Sequence, residues 1–335
     1  MNALEQRLSE FRDAFARVRA EVAKVVVGQD DVVANTLTAL FAGGHCLLEG
    51  VPGLGKTLLV RTLGSVLDLK YSRIQFTPDL MPADIIGTRI VMESAKGGRE
   101  FQFQRGPIFG QIILADEVNR ATPKTQSALL EAMQEHTVTV GREHFTLEEP
   151  FLVLATQNPL EMDGTYPLPE AQLDRFLFKV IVNFPSRAEL AEVLGRTTDV
   201  YQSAPARVLD GPQIIAIQRL VREILVAPHV RDYAIRVVLA THPTQSVAPD
   251  SVRRFVRYGA SPRGAQALLL GAKIRAALGG RFNVSFQDVR ATAPPALRHR
   301  ILLNFEGEAE GKRADELLED VLSTVPEVAS DALAS

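Results

Sequence analysis

Apolar residues recur at two different periods along this chain, and the switches between them outline its elements. Leu4, Leu8, Phe11, Phe15 and Val18 fall at helical spacing and predict an amphipathic helix over 3–24. Val25-Val26-Val27 reads as a short extended piece ending at Gly28-Gln29, and Asp30 is placed to cap a second helix over 31–42 that stops at Gly43-Gly44. Short apolar runs then alternate with helical patterns. Strands are predicted at 45–49, 71–76, 111–117, 151–156 and 177–182, and helices over 57–69 and 122–134. Two stretches alternate strictly: 89–93 with 100–104 around Lys96-Gly97-Gly98-Arg99, and 137–140 with 145–147 around Gly141-Arg142. Each predicts a hairpin inserted between the larger elements. Strands alternating with helices mean an α/β domain built on a doubly wound parallel sheet.

After residue 200 the pattern changes. Residues 201–212 hold Gly, Pro, Ser and Asp and read as a linker. Beyond them only helical periods recur, at 211–225, 230–242, 261–278, 286–304 and 313–322, with Pro294-Pro295 expected to break the fourth. The expected organisation is an α/β core over 1–200, a helical domain over 213–322 and a frayed tail over 323–335.

The chemistry concentrates where two of the strands end. Gly50-Val51-Pro52-Gly53-Leu54-Gly55-Lys56-Thr57 follows the first strand and opens a helix, and it fits G-x-x-x-x-G-K-[ST] at every fixed position. Glycines let backbone N–H groups turn towards a phosphate, and the helix N-terminus adds partial positive charge there. Lys56 is expected to reach the β- and γ-phosphates of ATP, and the Thr57 hydroxyl to hold Mg²⁺. The strand 111–117 ends in Asp116-Glu117. In a parallel sheet its tip opens on the same edge as the phosphate loop, which sets Asp116 toward the metal and Glu117 toward the attacking water. The strand 151–156 ends at Gln157-Asn158, placing a polar amide beside the γ-phosphate. Val26 to Gln29 is either a packed turn or a loop closing over the adenine ring; the residues alone leave both open.

Composition narrows the field. The chain has 335 residues, about 46% hydrophobic, with a net charge of −3. Nothing in that balance carries a nucleic-acid footprint. Cys46 is the only cysteine, which removes a disulfide framework, and the six histidines lack ligand spacing. No apolar run approaches the length of a membrane span, and the first residues are too charged for a signal peptide. A cytoplasmic protein is expected.

Together these motifs make the chain resemble the AAA+ ATPases of the MoxR type, over nearly its whole length up to about residue 322. The resemblance rests on Val27-Gly28-Gln29, the phosphate loop, Asp116-Glu117-Val118-Asn119-Arg120-Ala121, Ala155-Thr156-Gln157-Asn158-Pro159, Pro169 through Phe176, Ser261-Pro262-Arg263-Gly264 and the two hairpin insertions. It implies that Asn158 is the sensor-1 residue, Arg175 an arginine finger reaching a neighbour's site, and Arg263 the sensor-2 arginine of a helical lid. Gly28, Gln29, the loop Gly50 to Thr57, Leu58 and Arg263 are then expected at the nucleotide. A homo-oligomer, a hexamer by family habit, is implied as well. So are a protein client, a von Willebrand factor A domain partner and a role in metalloenzyme or complex maturation. Two other readings stay open here: a motor acting on nucleic acid, and a nucleotide-dependent switch with little turnover.

Overall fold

The computed structural model describes residues 3–93, 99–159, 164–198 and 204–328. Along the core run α1 (Ala3–Ala23), α2 (Asp30–Ala42), β1 (Cys46–Glu49), α3 (Lys56–Val66), β2 (Tyr71–Gln75), α4 (Pro82–Ile86), β3 (Gly87–Glu93), β4 (Arg99–Arg105), β5 (Ile112–Asp116), α5 (Pro123–Glu135), β6 (Thr137–Val140), β7 (Glu143–Thr146), β8 (Leu152–Gln157), α6 (Glu170–Leu173), β9 (Phe178–Ile181) and α7 (Arg187–Thr198). The lid adds α8 (Gly211–Glu223), α9 (Pro228–Ala240), α10 (Asp250–Phe255), β10 (Val256–Tyr258), α11 (Pro262–Leu278), α12 (Phe286–Leu297), β11 (Leu302–Leu303), α13 (Phe305–Ala309) and α14 (Ala314–Thr324).

The central sheet has five strands in the order β2-β5-β8-β1-β9, all parallel. Its three central strands, β5, β8 and β1, are apolar on both faces because both faces are covered, whereas the edge strand β2 buries only Ile74 fully. Successive residues of β1 show this: Leu47 packs into the layer holding α5, while Leu48 packs into the layer holding α1, α2 and α3. That second layer continues without a break into the lid through Val237, Leu268, Ala293 and Leu318. Core and lid therefore share one apolar body.

The two hairpins form as the alternation predicts, with β3 antiparallel to β4 and β6 to β7. They also pack on each other. The Phe103 and Phe145 rings stack with centroids 4.5 Å apart, and Arg89 Nη2 lies 3.0 Å from Glu143 Oε1. Lys96 to Gly98 of the first turn lie outside the described residues.

Four expectations need correction. The lid is not purely helical, because β10 and β11 pair antiparallel. Pro294 and Pro295 do not break α12. The helix runs through both to Leu297, since burial of Val289, Ala293, Ala296 and Leu297 offsets the backbone hydrogen bonds that proline cannot make. Asp30 is the first residue of α2 rather than its cap. Gln29 holds that position without a capping bond, and Asp30 instead accepts from Arg19 at 3.1 Å. Gly211 and Pro212 belong to α8, where Asp210 makes the cap. Of the expected linker, 201–203 lie outside the described residues. So do 329–335 of the tail, whose start at 323–324 still belongs to α14.

Candidate active site

The C-terminal ends of β1, β2, β5 and β8 open on one edge of the sheet, and a cavity of about 250 Å³ lies there. Pro52, Gly53, Leu54, Gly55, Lys56 and Thr57 line one side; Arg73, Asp116, Glu117, Thr156 and Asn158 line the other. The loop's shape depends on its glycines. Gly53 and Gly55 have φ of 83° and 73°, in the left-handed region. A Cβ on Gly50 would stand 2.7 Å from Val182 O. Val51 turns away from the cavity and packs on the core.

Lys56 Nζ donates to Gly50 O at 2.6 Å, which folds the loop around its own lysine. Burial pulls the Lys56 pKa down, and Asp116, Glu117 and Glu49 oppose that pull. Across the cavity, the Thr156 hydroxyl donates to Asp116 Oδ1 at 2.7 Å and accepts from Glu117 N at 2.8 Å. Glu117 itself has φ 56° and ψ 50°, a conformation that costs a non-glycine residue about 1–3 kcal/mol. Its strain is held in place by the hydrogen bond its own N–H gives to the Thr156 hydroxyl. Gln75 Nε2 donates to Glu117 Oε2 at 2.9 Å and Arg120 Nη1 to the same oxygen at 3.0 Å. Arg73 Nη2 donates to Asp116 Oδ2 at 2.7 Å. Asn158, 6% exposed, follows β8 directly and faces the same cavity.

A second cavity, about 210 Å³, adjoins the loop. Val25, Val26, Val27, Gly28, Gln29, Gly53, Gly55 and Leu58 form its floor, and Phe184, Leu190 and Val193 close it. Gln29 Nε2 donates to Leu54 O, tying this wall to the phosphate loop. Phe184 is 71% exposed and Leu58 44%. Such large apolar side chains beside a phosphate cradle form a slot for a flat ring.

Arg175 and Arg263 lie elsewhere. Both line a cleft of about 230 Å³ beside Gly43, Gly44 and His45 at the start of β1, the sheet edge opposite the phosphate loop. Arg175 Nη1 donates to Leu130 O at 2.8 Å. Asp174 pairs not with Arg175 but with Arg300, at 2.7 Å. Within one chain, neither arginine meets the cavity of Lys56 and Glu117.

Sequence reading missed Arg73, Gln75 and Thr156, and the α7 wall with Leu190. Arg73 and Gln75 did carry a signal. They alternate on β2, and in the register of β2 on β5 Gln75 falls opposite Asp116. Oxygen donors from Thr57 and Asp116 on facing walls suit a hard cation such as Mg²⁺. The left-handed glycines and the half-buried lysine suit a triphosphate.

These features define a phosphate-loop nucleotide-binding core carrying a helical lid. Residues 45–178 match the ATPase family associated with various cellular activities (AAA), and residues 250–321 match the AAA lid domain. The chain is 44% identical over 305 residues to Chaperone MoxR1 of Mycobacterium tuberculosis, covering 91% of this chain and 80% of that one. It is 32% identical to Protein MoxR of Methylorubrum extorquens, over 97% and 99% of the two chains. A crystal structure from Cytophaga hutchinsonii, described as that of a candidate ATPase, superposes with a TM-score of 0.90 at 40% identity, covering 97% and 98%. The chain belongs to the MoxR-type AAA+ ATPases.

Proposed function

We propose that this protein hydrolyses ATP in a ring of identical subunits and uses the cycle to remodel a protein client. The observation that carries this is the split of the charged residues between opposite sheet edges: Lys56, Asp116 and Glu117 at one, Arg175 and Arg263 at the other. Head-to-tail stacking of copies would bring one subunit's arginine edge to the next subunit's phosphate loop, and such heterologous contacts make a ring when the rotation from copy to copy closes.

In that arrangement the backbone of Gly53 to Thr57 and the Lys56 ammonium bind the phosphates. Thr57 and Asp116 would hold Mg²⁺, which when bound neutralises phosphate charge. Glu117 orients the water and takes its proton, and Asn158 fixes the water's position beside it. Arg175 and Arg263 of the adjoining copy stabilise charge that builds on the phosphoryl oxygens. Gly28, Gln29, Leu58 and Phe184 hold the base.

The relative named Chaperone MoxR1 supports a protein client. A hexamer with a von Willebrand factor A domain partner in the cytoplasm completes the proposal. Among the described residues no helix is long and apolar enough to cross a membrane. The test is ATPase rate per subunit against protein concentration, with and without DNA. A rate that rises steeply with concentration and ignores DNA supports the proposal. A concentration-independent rate contradicts it, and a rate that rises with DNA favours a nucleic-acid motor.

A further inference from the structure

Three successive side chains just past α12 reach from the lid to the stretch 174–179 that carries Arg175. Arg298 Nη1 donates to Lys179 O at 3.3 Å, and His299 Nε2 to Phe176 O at 3.0 Å. Arg300 does the most. Its Nη2 donates to Asp174 O at 2.9 Å and Phe176 O at 2.7 Å, its Nη1 to Leu177 O at 3.1 Å, and its Nε to the Asp174 carboxylate at 2.7 Å. Here the chain leaves α6 and turns into β9, so these carbonyls lie past a helix end with no helical donor ahead of them. Buried carbonyls need partners, and one planar fork of five N–H groups supplies several at once. A lysine ammonium could meet the carboxylate but could not span the carbonyls on both sides of residue 175.

The same carboxylate ties in α11. Ser261 Oγ donates to Asp174 at 2.7 Å, and as the N-cap of α11 it accepts from Arg263 N at 3.1 Å. The Arg300 side chain is 3% exposed. Arg175, by contrast, is half-buried at the cleft and its guanidinium is tethered at one point, Leu130 O. Its backbone is clamped while its head is nearly loose.

We propose that Arg300 is a positioning residue for the arginine edge: it fixes the backbone on both sides of Arg175 and, through Asp174 and Ser261, joins it to the start of α11, so that the backbone carrying Arg175 on the core and the start of α11 carrying Arg263 on the lid are held together. This rests on the reading that Arg175 acts on a neighbour's nucleotide. Arg300 then matters on the subunit that gives the finger and not on the one that holds the nucleotide.

Mixing mutants separates the two sides. The reference pair is Arg175→Ala with Lys56→Ala, in which active interfaces form only between unlike subunits. Arg300→Lys is placed first on the nucleotide side, mixed with Lys56→Ala; activity is expected to recover as in the reference pair. It is placed next on the finger side, as Lys56→Ala/Arg300→Lys mixed with Arg175→Ala. Recovery is expected to fall by about 10²-fold, the usual cost of a misplacement near 1 Å. ATP affinity of Arg300→Lys by calorimetry is expected to match the parent. A merely structural role damages both sides alike, and that result overturns the inference. Full recovery with Arg300→Lys on the finger side overturns it too. A silent reference pair, with subunit exchange confirmed, overturns the trans reading and the inference with it. If Arg300→Lys does not fold, Ser261→Ala carries the same two-sided test, with a finger-side loss of about tenfold expected from one hydrogen bond to a carboxylate.

Discussion

Thr156→Val is a near-isosteric change that should disable the site without touching the phosphate loop. Thr156 is 1% exposed, and its hydroxyl links the last residue of β5 to the acid that follows it, giving a hydrogen bond to Asp116 Oδ1 and taking one from Glu117 N. Valine fills the space and removes both bonds. A hydrogen bond to a charged group contributes about 1.5–3 kcal/mol, and an unsatisfied buried N–H costs about 1–3 kcal/mol. The left-handed Glu117 backbone already carries about 1–3 kcal/mol of strain that this bond offsets. Relaxing that backbone is cheaper than keeping it, so the Glu117 carboxylate should swing away. A displaced base costs roughly 10²-fold or more in turnover. The prediction is a loss of stability of about 2–4 kcal/mol by urea unfolding. Phosphate release should fall by about 10²-fold. ATP affinity by calorimetry should change little, because Lys56 and the loop glycines keep their places. Thr156→Ser, which keeps the hydroxyl, should recover most of both losses. A valine variant that hydrolyses ATP at the parental rate would refute the pivot role of Thr156.

Three further outcomes are expected. Glu117→Gln should bind ATP and lose roughly 10²-fold or more of its hydrolysis; near-parental turnover would remove Glu117 as the base. Arg73→Ala should make ATP binding lean more heavily on Mg²⁺, because the cation that faces Asp116 is gone; equal affinity ratios with Mg²⁺ and with chelator, in mutant and parent, would contradict that. Acid should weaken the fold before the carboxylates titrate. Burial pushes the His45 pKa down to about 4, so below about 6.5 the unfolded chain takes up a proton that the native chain refuses. Stability is then lost as pH falls, by about 1.4 kcal/mol per unit across that window. His299, also pushed down by burial, adds the same sign. His136, raised by Glu149, has the opposite sign: it helps at low pH and loses that help as pH rises. Urea midpoints between pH 7 and 5 check this. The slope should flatten in His45→Gln, and an unchanged slope would rule His45 out as its source.

Much of the nucleotide edge was legible because it is local. The phosphate loop, the β5 acids and Asn158 each occupy a strand tip, and parallel pairing brings strand tips together. What escaped reading depended on pairing across the sheet. Thr156 reads as one more residue of a buried strand until β8 is laid beside β5. Gln75 gains its role only from its register against Asp116. The helix α7 was legible and passed over: Ser186-Arg187-Ala188-Glu189 is a capping box, with Ser186 N donating to Glu189 Oε2 at 2.6 Å. Pro294 and Pro295 misled because propensity stops a helix only where packing does not hold it. The place of Arg175 and Arg263 on the far edge follows from where β9 and α11 start, which no local spacing reveals.

The central claim, that one copy's arginine edge serves another copy's phosphate loop, is tested most directly by titrating Arg175→Ala protein into Lys56→Ala protein at fixed total concentration. Each alone should be inactive: the first lacks the finger and the second the phosphate-binding ammonium. In mixed rings an intact loop meets an intact Arg175, and random assembly makes about a quarter of interfaces complete at equal mixing. The predicted curve rises from zero, peaks near the equal mixture and returns to zero. A flat, inactive curve, with subunit exchange shown independently, would contradict the claim.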